Sequence, residues 1–151
     1  MITIFLLLFA LNLAHFLGDF TPLNKWFISA KQYGKPVWLV ACHGALNGAL
    51  YGITVGLFIL SLKYLFFAPF AVNLCTFAVK KLLEHPLKMI LIVFTIETVT
   101  HTLIDILKGR INRRFPVVQN SEKSTHWVVM GADQFLHQVV LIGILFLSIK
   151  L

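Results

Sequence analysis

Three segments of the chain set a histidine and an aspartate four residues apart: HFLGD (His15, Asp19), HTLID (His101, Asp105) and, in reverse order, DQFLH (Asp133, His137). On an α-helix that spacing puts both side chains on one face, about 6 Å apart along the axis. Glu97 stands one turn before His101 in ETVTHTLID, and His43 lies early in another apolar stretch. Mixed imidazole and carboxylate donors suit Zn²⁺, Mn²⁺ or Fe²⁺. His15, Asp19, His101, Asp105, Asp133 and His137 are therefore the expected metal ligands. His43 and Glu97 are the candidate catalytic groups: His43 as a further ligand or general acid/base, Glu97 as a partner to the ligands, a proton carrier or a packed neutral acid. The donors outnumber the four of a tetrahedral zinc, so two ions sharing bridging carboxylates are the sharper expectation, an arrangement suited to activating water and to phosphoryl transfer.

Cost argues in the same direction. An ionisable side chain at mid-membrane is unfavourable by about 2.5–3.5 kcal/mol on insertion scales. With neutral imidazoles, the three aspartates alone bring a charge of −3 into one place, which carboxylates resist without protons or cations. One such pair in a membrane helix most often marks hydrogen bonding between helices; three that converge are stronger evidence. A proton or ion relay along the same stripe is the rival chemistry, and polar residues serving only as interhelical glue are the third reading.

The elements that must position these groups are apolar. Of 151 residues, 58% are hydrophobic, and mean hydropathy is +0.85. A soluble domain has about half its residues apolar, so the composition marks an integral membrane protein forming one domain over residues 1–151. A spanning helix needs about 20 mostly apolar residues, and segments 2–20, 37–62, 89–107 and 127–149 qualify. The N-terminus lacks a basic leader region and a small-residue cleavage site, so it is expected to be a retained helix. In segment 64–84 the residues Asn73, Thr76, Lys80 and Glu84 follow a helical period opposite Phe70, Leu74, Phe77 and Ala78. That pattern predicts an amphipathic helix lying in the interface or partly inserted, with a fifth span as the alternative. The expected fold is all-α: a transmembrane four-helix bundle with this additional helix.

Chain direction explains the reversed pair. With four spans, the first and third run one way and the fourth runs back. All three pairs then fall near one membrane face, each aspartate nearer the surface and each histidine one turn deeper, with His43 at a similar depth. A fifth span would send Asp133 and His137 to the opposite face.

Thirteen Lys and Arg against six acids give a net charge of +7, read as membrane orientation rather than nucleic-acid binding. Eight basic residues flank the face with the pairs (Lys25, Lys31, Lys35, Lys108, Arg110, Arg113, Arg114, Lys123) and five the other. This predicts a multi-pass membrane protein with a cytoplasmic site face and both termini outside. Lys108, Arg110, Arg113 and Arg114 would bind an anionic lipid or phosphate-bearing substrate, or serve topology alone. Gly44, Gly48, Gly52 and Gly56 make a small-residue edge for close helix approach within the bundle, or between two copies of the chain as a homo-oligomer. Beside it His43, Asn47 and Tyr51 form a polar stripe. Cys42 and Cys75 have no CxxC spacing and read as buried small residues; His85 and His126 read as solvated or interfacial. No GxSxG, P-loop or HExxH motif occurs, which leaves serine-hydrolase, nucleotide-binding and zincin readings without support.

The motifs HFLGDF with Ala30 and Lys31 downstream, His43, HTLIDILK and DQFLH span nearly the whole chain. In them the chain resembles a bacterial integral membrane protein family catalogued as domain of unknown function 3307. Members resembling it carry a glutamine shortly after the first DF, where this chain reads DFTPLN, and a shorter segment at 64–84. The resemblance implies no activity. The pattern is also similar, more distantly, to LexA-regulated membrane-bound metal-dependent hydrolases, although their additional paired-aspartate motif is absent. The expected function is a membrane-embedded metal-dependent hydrolase acting on a phosphoester or polar-headgroup ester. The alternatives are a proton- or metal-ion-coupled transporter or channel using the same stripe, and a non-catalytic subunit of a membrane complex.

Overall fold

In the computed structural model, which describes residues 2–66 and 84–150, the apolar stretches become four long helices: α1 (Ile2–Phe20), α3 (Val37–Phe66), α4 (Pro86–Arg114) and α5 (Ser124–Lys150). Each is long and apolar enough to cross a membrane, the pattern of a multi-pass membrane protein, and no strand occurs among the described residues. A short helix, α2 (Ile28–Tyr33), and two 3-10 turns, Pro22–Asn24 and Pro116–Gln119, complete the site end. Residues 67–83, which hold most of the amphipathic segment and Cys75, lie outside the described residues.

Helix ends follow local chemistry rather than hydropathy. α4 continues seven residues past the expected limit at 107, taking Lys108, Arg110, Arg113 and Arg114 onto a helix. Lys and Arg are good helix formers, and cations suit a helix C-terminus. It stops at Phe115 (φ −129°, ψ 77°), the residue before Pro116, where the following ring disfavours helical backbone. At its other end Pro86 occupies the first turn, where its missing N–H costs nothing. The first loop, bracketed by Pro22 and Pro36, is not merely a connection. It contains α2, which ends on Gly34 in the left-handed region (φ 62°), a conformation glycine adopts without strain.

The bundle has an apolar half and a polar half. Leu7 and Leu11 from the start of α1 pack with Met89 and Val93 from the start of α4. The late residues Val55 and Ile59 of α3, and Leu141 and Ile144 of α5, complete this core. α1 and α4 therefore run one way and α3 and α5 the other, as the reversed DQFLH pair requires. Outward surfaces carry Phe5, Phe9, Leu57, Leu91, Leu103 and Phe146, all exposed. Apolar outside and ionisable inside is the inverse of a water-soluble bundle and fits lipid as solvent.

Small residues set the helix spacing. A Cβ on Gly44 would lie 2.8 Å from Thr98 O, and one on Gly48 2.7 Å from Phe94 O. The glycine edge is thus a seam to α4 of the same chain, as close approach in lipid requires. At Gly109 a Cβ would come within 2.5 Å of the Gly34 Cα, so α2 lies directly on the backbone of α4. Cys42, expected to be buried, is exposed. It sits one residue from His43, about 100° around the helix at 3.6 residues per turn, and so turns away from the site face.

Candidate functional site

Every ionisable residue singled out in the three pairs is in the polar half. α1 supplies His15 and Asp19, α3 His43, α4 Glu97, His101 and Asp105, and α5 Asp133 and His137; none is more than 5% exposed. On α4 the buried residues Met89, Val93, Glu97, His101, Asp105, Gly109 and Asn112 form one stripe down the helix, which is why its acids and histidine reach the same centre.

His101 is the hub. Its Nε2 lies 3.1 Å from His43 Nε2, 3.3 Å from Asp19 Oδ1 and 3.7 Å from Asp105 Oδ2. His43 Nε2 in turn is 3.0 Å from Asp19 Oδ1 and 3.6 Å from Asp105 Oδ2. A tetrahedral ion with bonds of about 2.0–2.1 Å separates its ligand atoms by about 3.3 Å. The Asp19, His43 and His101 atoms, from α1, α3 and α4, therefore approach one another as corners of such a site do, while Asp105 Oδ2 stands 3.6 and 3.7 Å from the two imidazoles but farther from Asp19.

Proton accounting points the same way. Glu97 Oε1 is 3.0 Å from His101 Nδ1; a proton on Nδ1 donates to Glu97 and leaves the Nε2 lone pair facing Asp19 and Asp105. Asn47 Nδ2 lies within 3.4 Å of His43 Nε2, His101 Nε2 and Asp19 Oδ1, but it cannot serve Asp105. Neither Asp105 oxygen has a hydrogen-bond partner among the described residues. A buried carboxylate left so is unfavourable by more than the 1–3 kcal/mol typical of a neutral group, and a cation at this point satisfies it. The donor set fits a divalent metal on that ground.

A second layer adjoins the first. Asp105, Asp133 and His137 offer donor atoms within 4.8 Å of one another, as do His15, Glu97, His101 and His137. The His101 and His137 rings are 4.2 Å apart between centroids, and His15 and His137 4.8 Å. His15 Nε2 is 3.3 Å from Gln134 Oε1.

Two lysines enter the site. Lys31 Nζ is 2.8 Å from Asp19 Oδ2, and Lys108 Nζ is 2.6 Å from Asp133 Oδ2. In the sequence Lys31 is a loop charge and part of the family motif, and Lys108 is one of a basic quartet suited to topology or anions. Its place three residues after Asp105, on the same helix face, was the available signal. Of the basic quartet only Lys108 turns inward; Arg110, Arg113 and Arg114 are exposed. Asn47 joins the centre, whereas Tyr51 packs into the apolar core. α2 is held by a ring of amides: Asn112 Nδ2 donates to Gln32 O at 2.8 Å, and Gln119 Nε2 to Asn112 O at 2.8 Å.

A cavity of about 230 Å³ opens on this site. Its floor includes Asp19, Lys31, Lys108 and Gln134, and its walls include Phe20, Ile28, Val129 and Met130. His126 also lines it, half-buried, with Nδ1 2.9 Å from Val118 O.

Residues 7–151 match the model of a family described as "Protein of unknown function (DUF3307)". No curated protein and no solved structure matches. Nothing in these comparisons carries the more distant similarity to LexA-regulated hydrolases.

Proposed function

The chain belongs to the DUF3307 family, and we propose that it is a membrane-embedded, metal-dependent hydrolase of phosphoesters or related polar-headgroup esters. The observation that carries this reading is three donor atoms, from Asp19, His43 and His101, spaced as around one ion, with the unpartnered Asp105 carboxylate 3.6 and 3.7 Å from the two imidazoles and Asp19 lining an adjoining cleft. The cleft lies at the site end of the bundle, while Leu11, Val55, Val93 and Leu141 close the bundle beyond the site.

Charge favours one ion over two. With neutral imidazoles, Asp19, Glu97, Asp105 and Asp133 carry −4, and Lys31 and Lys108 return +2. One divalent cation brings the sum to zero; a second would leave it positive. The ion would be Zn²⁺, Mn²⁺ or Fe²⁺, held by Asp19, His43 and His101 and drawing in Asp105 as the fourth ligand. When bound, it supplies Lewis-acid polarisation of a phosphoryl or carbonyl oxygen and acidifies water.

The chain's own residues do the rest. His43 then acts as ligand rather than acid/base, because its Nε2 points into the donor set. Glu97 orients His101 through Nδ1, the arrangement in which a carboxylate fixes a ligating imidazole. Lys31 and Lys108, on the cleft floor, hold negative charge on the substrate. Asp133 and His137 stand next to the donor set, and His137 Nε2, without a hydrogen-bond partner among the described residues, is the group placed to move a proton. Arg110, Arg113 and Arg114 project beyond this end toward anionic headgroups. With eight of thirteen basic residues at the site end, that face is assigned to the cytoplasm of a bacterial inner membrane.

Glu97→Gln tests the reading against transport. Loss of an orienting carboxylate costs about 10–100-fold in metal affinity. Ester turnover in the variant should fall with metal occupancy and recover when metal is added in excess. Proteoliposomes of the unaltered protein should move neither metal nor protons. Unchanged metal affinity together with flux that disappears in Glu97→Gln would replace the hydrolase by the transporter.

A further inference from the structure

The cleft is amphipathic in a way that a water-borne ester does not require. Its lining takes charge from Asp19, Lys31 and Lys108, neutral polar groups from Gln32, Asn112, Gln119 and His126, and apolar surface from Phe20 and Ile28 on the α1–α2 side and Val129 and Met130 on α5. Phe20 and Ile28 are exposed. Phe20 ends α1, and Val129 and Met130 lie in the first turns of α5, so a mouth between these two helices, on the side of the site end, would be rimmed by surface that matches lipid rather than water.

Depth agrees. All three tryptophans of the chain, Trp26, Trp38 and Trp127, are exposed at the site end. Tryptophan collects at the headgroup level of a bilayer. His43 lies five residues inside Trp38 and Asp133 six inside Trp127, about 7.5 and 9 Å along a helix axis. The headgroup region is roughly 5–7 Å thick on each side. The donor set therefore sits just under that region, close to the linkages that join lipid headgroups to their chains.

Size sets the last limit. A cavity of about 230 Å³ has the volume of roughly eight waters at about 30 Å³ each. It accommodates a phosphate and a few carbons, and acyl chains must remain outside it.

We propose that the substrate is a phosphate-bearing lipid of the site's own leaflet, which enters sideways between α1 and α5 and leaves its chains against Phe20, Ile28 and Met130. The identification as substrate rests on the hydrolase reading; the lateral route does not.

The test uses full-length protein in phosphatidylglycerol nanodiscs, with two photoreactive probes. One is a phospholipid with a diazirine on its headgroup; the other is glycerol phosphate carrying the same diazirine in solution. The lipid probe should label the α5 segment around Gln134 at least tenfold more strongly than the soluble probe. Phe20→Trp with Val129→Trp, filling the mouth, should cut that labelling at least tenfold while labelling at the distant Leu57 and Leu60 stays as before. Equal labelling by the soluble probe in the unaltered protein, a comparison that needs no variant, overturns the proposal; so does lipid labelling indifferent to a filled mouth. Metal analysis of the same samples separates the two readings. Cleft labelling in metal-free protein defeats the hydrolase and keeps the lipid route, whereas metal without cleft labelling defeats the route alone.

Discussion

His101→Asn is expected to lower the affinity for a divalent ion by well over 100-fold and to abolish turnover. Removing a residue that merely orients a ligand costs about 10–100-fold, so removing a ligand must cost more. Like His43, His101 meets all three other donors, with Nε2 at 3.1 Å from His43, 3.3 Å from Asp19 and 3.7 Å from Asp105, and of these two imidazoles it alone is held at Nδ1 by a carboxylate. Its loss opens the donor set and frees Glu97 from its contact at 3.0 Å. His137→Asn is the matched control. It removes a buried imidazole of similar environment but leaves the four donors in place, so affinity should change less than tenfold. Competition against a chelator of known affinity measures both. Equal losses in the two variants would mean that the ion sits between the layers, where His15, Glu97, His101 and His137 offer donor atoms within 4.8 Å of one another.

The second large effect concerns stability. Lys108→Met should destabilise the bundle by about 3–5 kcal/mol, the cost of breaking a buried ion pair from one side. The pair is short, 2.6 Å, and both side chains are largely buried, at 13% and 2% exposure. The variant leaves Asp133 charged and unpaired beside Asp105, where like charges already crowd. Lys108→Met with Asp133→Leu should recover most of the loss, because an apolar replacement of the whole pair is often neutral or stabilising. Reversible denaturation in detergent of the single and double variants checks the cycle. A single-variant loss below about 1 kcal/mol, the range of exposed pairs, would show that Lys108 does not hold Asp133 in the membrane protein.

The pairs were legible because helix geometry leaves little freedom. Spacing of four fixes a shared face, and the reversed order of Asp133 and His137 fixes chain direction once the apolar stretches are counted. The glycine edge was legible for a related reason: only small residues let Thr98 and Phe94 come so near α3. What the residue pattern hid lies in the cap. α2 is six residues long, too short to show a hydropathy period, so the helix that delivers Lys31 to Asp19 reads as loop. Lys108 is disguised by its company, since Arg110, Arg113 and Arg114 follow it and point outward. The end of α4 is set by Phe115 and Pro116, not by the edge of the apolar run, because charged residues continue a helix that has already left the hydrocarbon. Glu97, the oddest residue in its helix, becomes intelligible only beside His101 Nδ1. Adjacency at four residues was visible; which imidazole nitrogen it would meet was not.

All of this rests on one ion. The most direct measurement is elemental analysis of the purified, chelator-free protein alongside Asp105→Asn, whose carboxylate is the one without a hydrogen-bond partner among the described residues. The account predicts close to one equivalent of zinc, manganese or iron per chain in the unaltered protein and almost none in the variant. Substoichiometric metal that is the same in both proteins would contradict it.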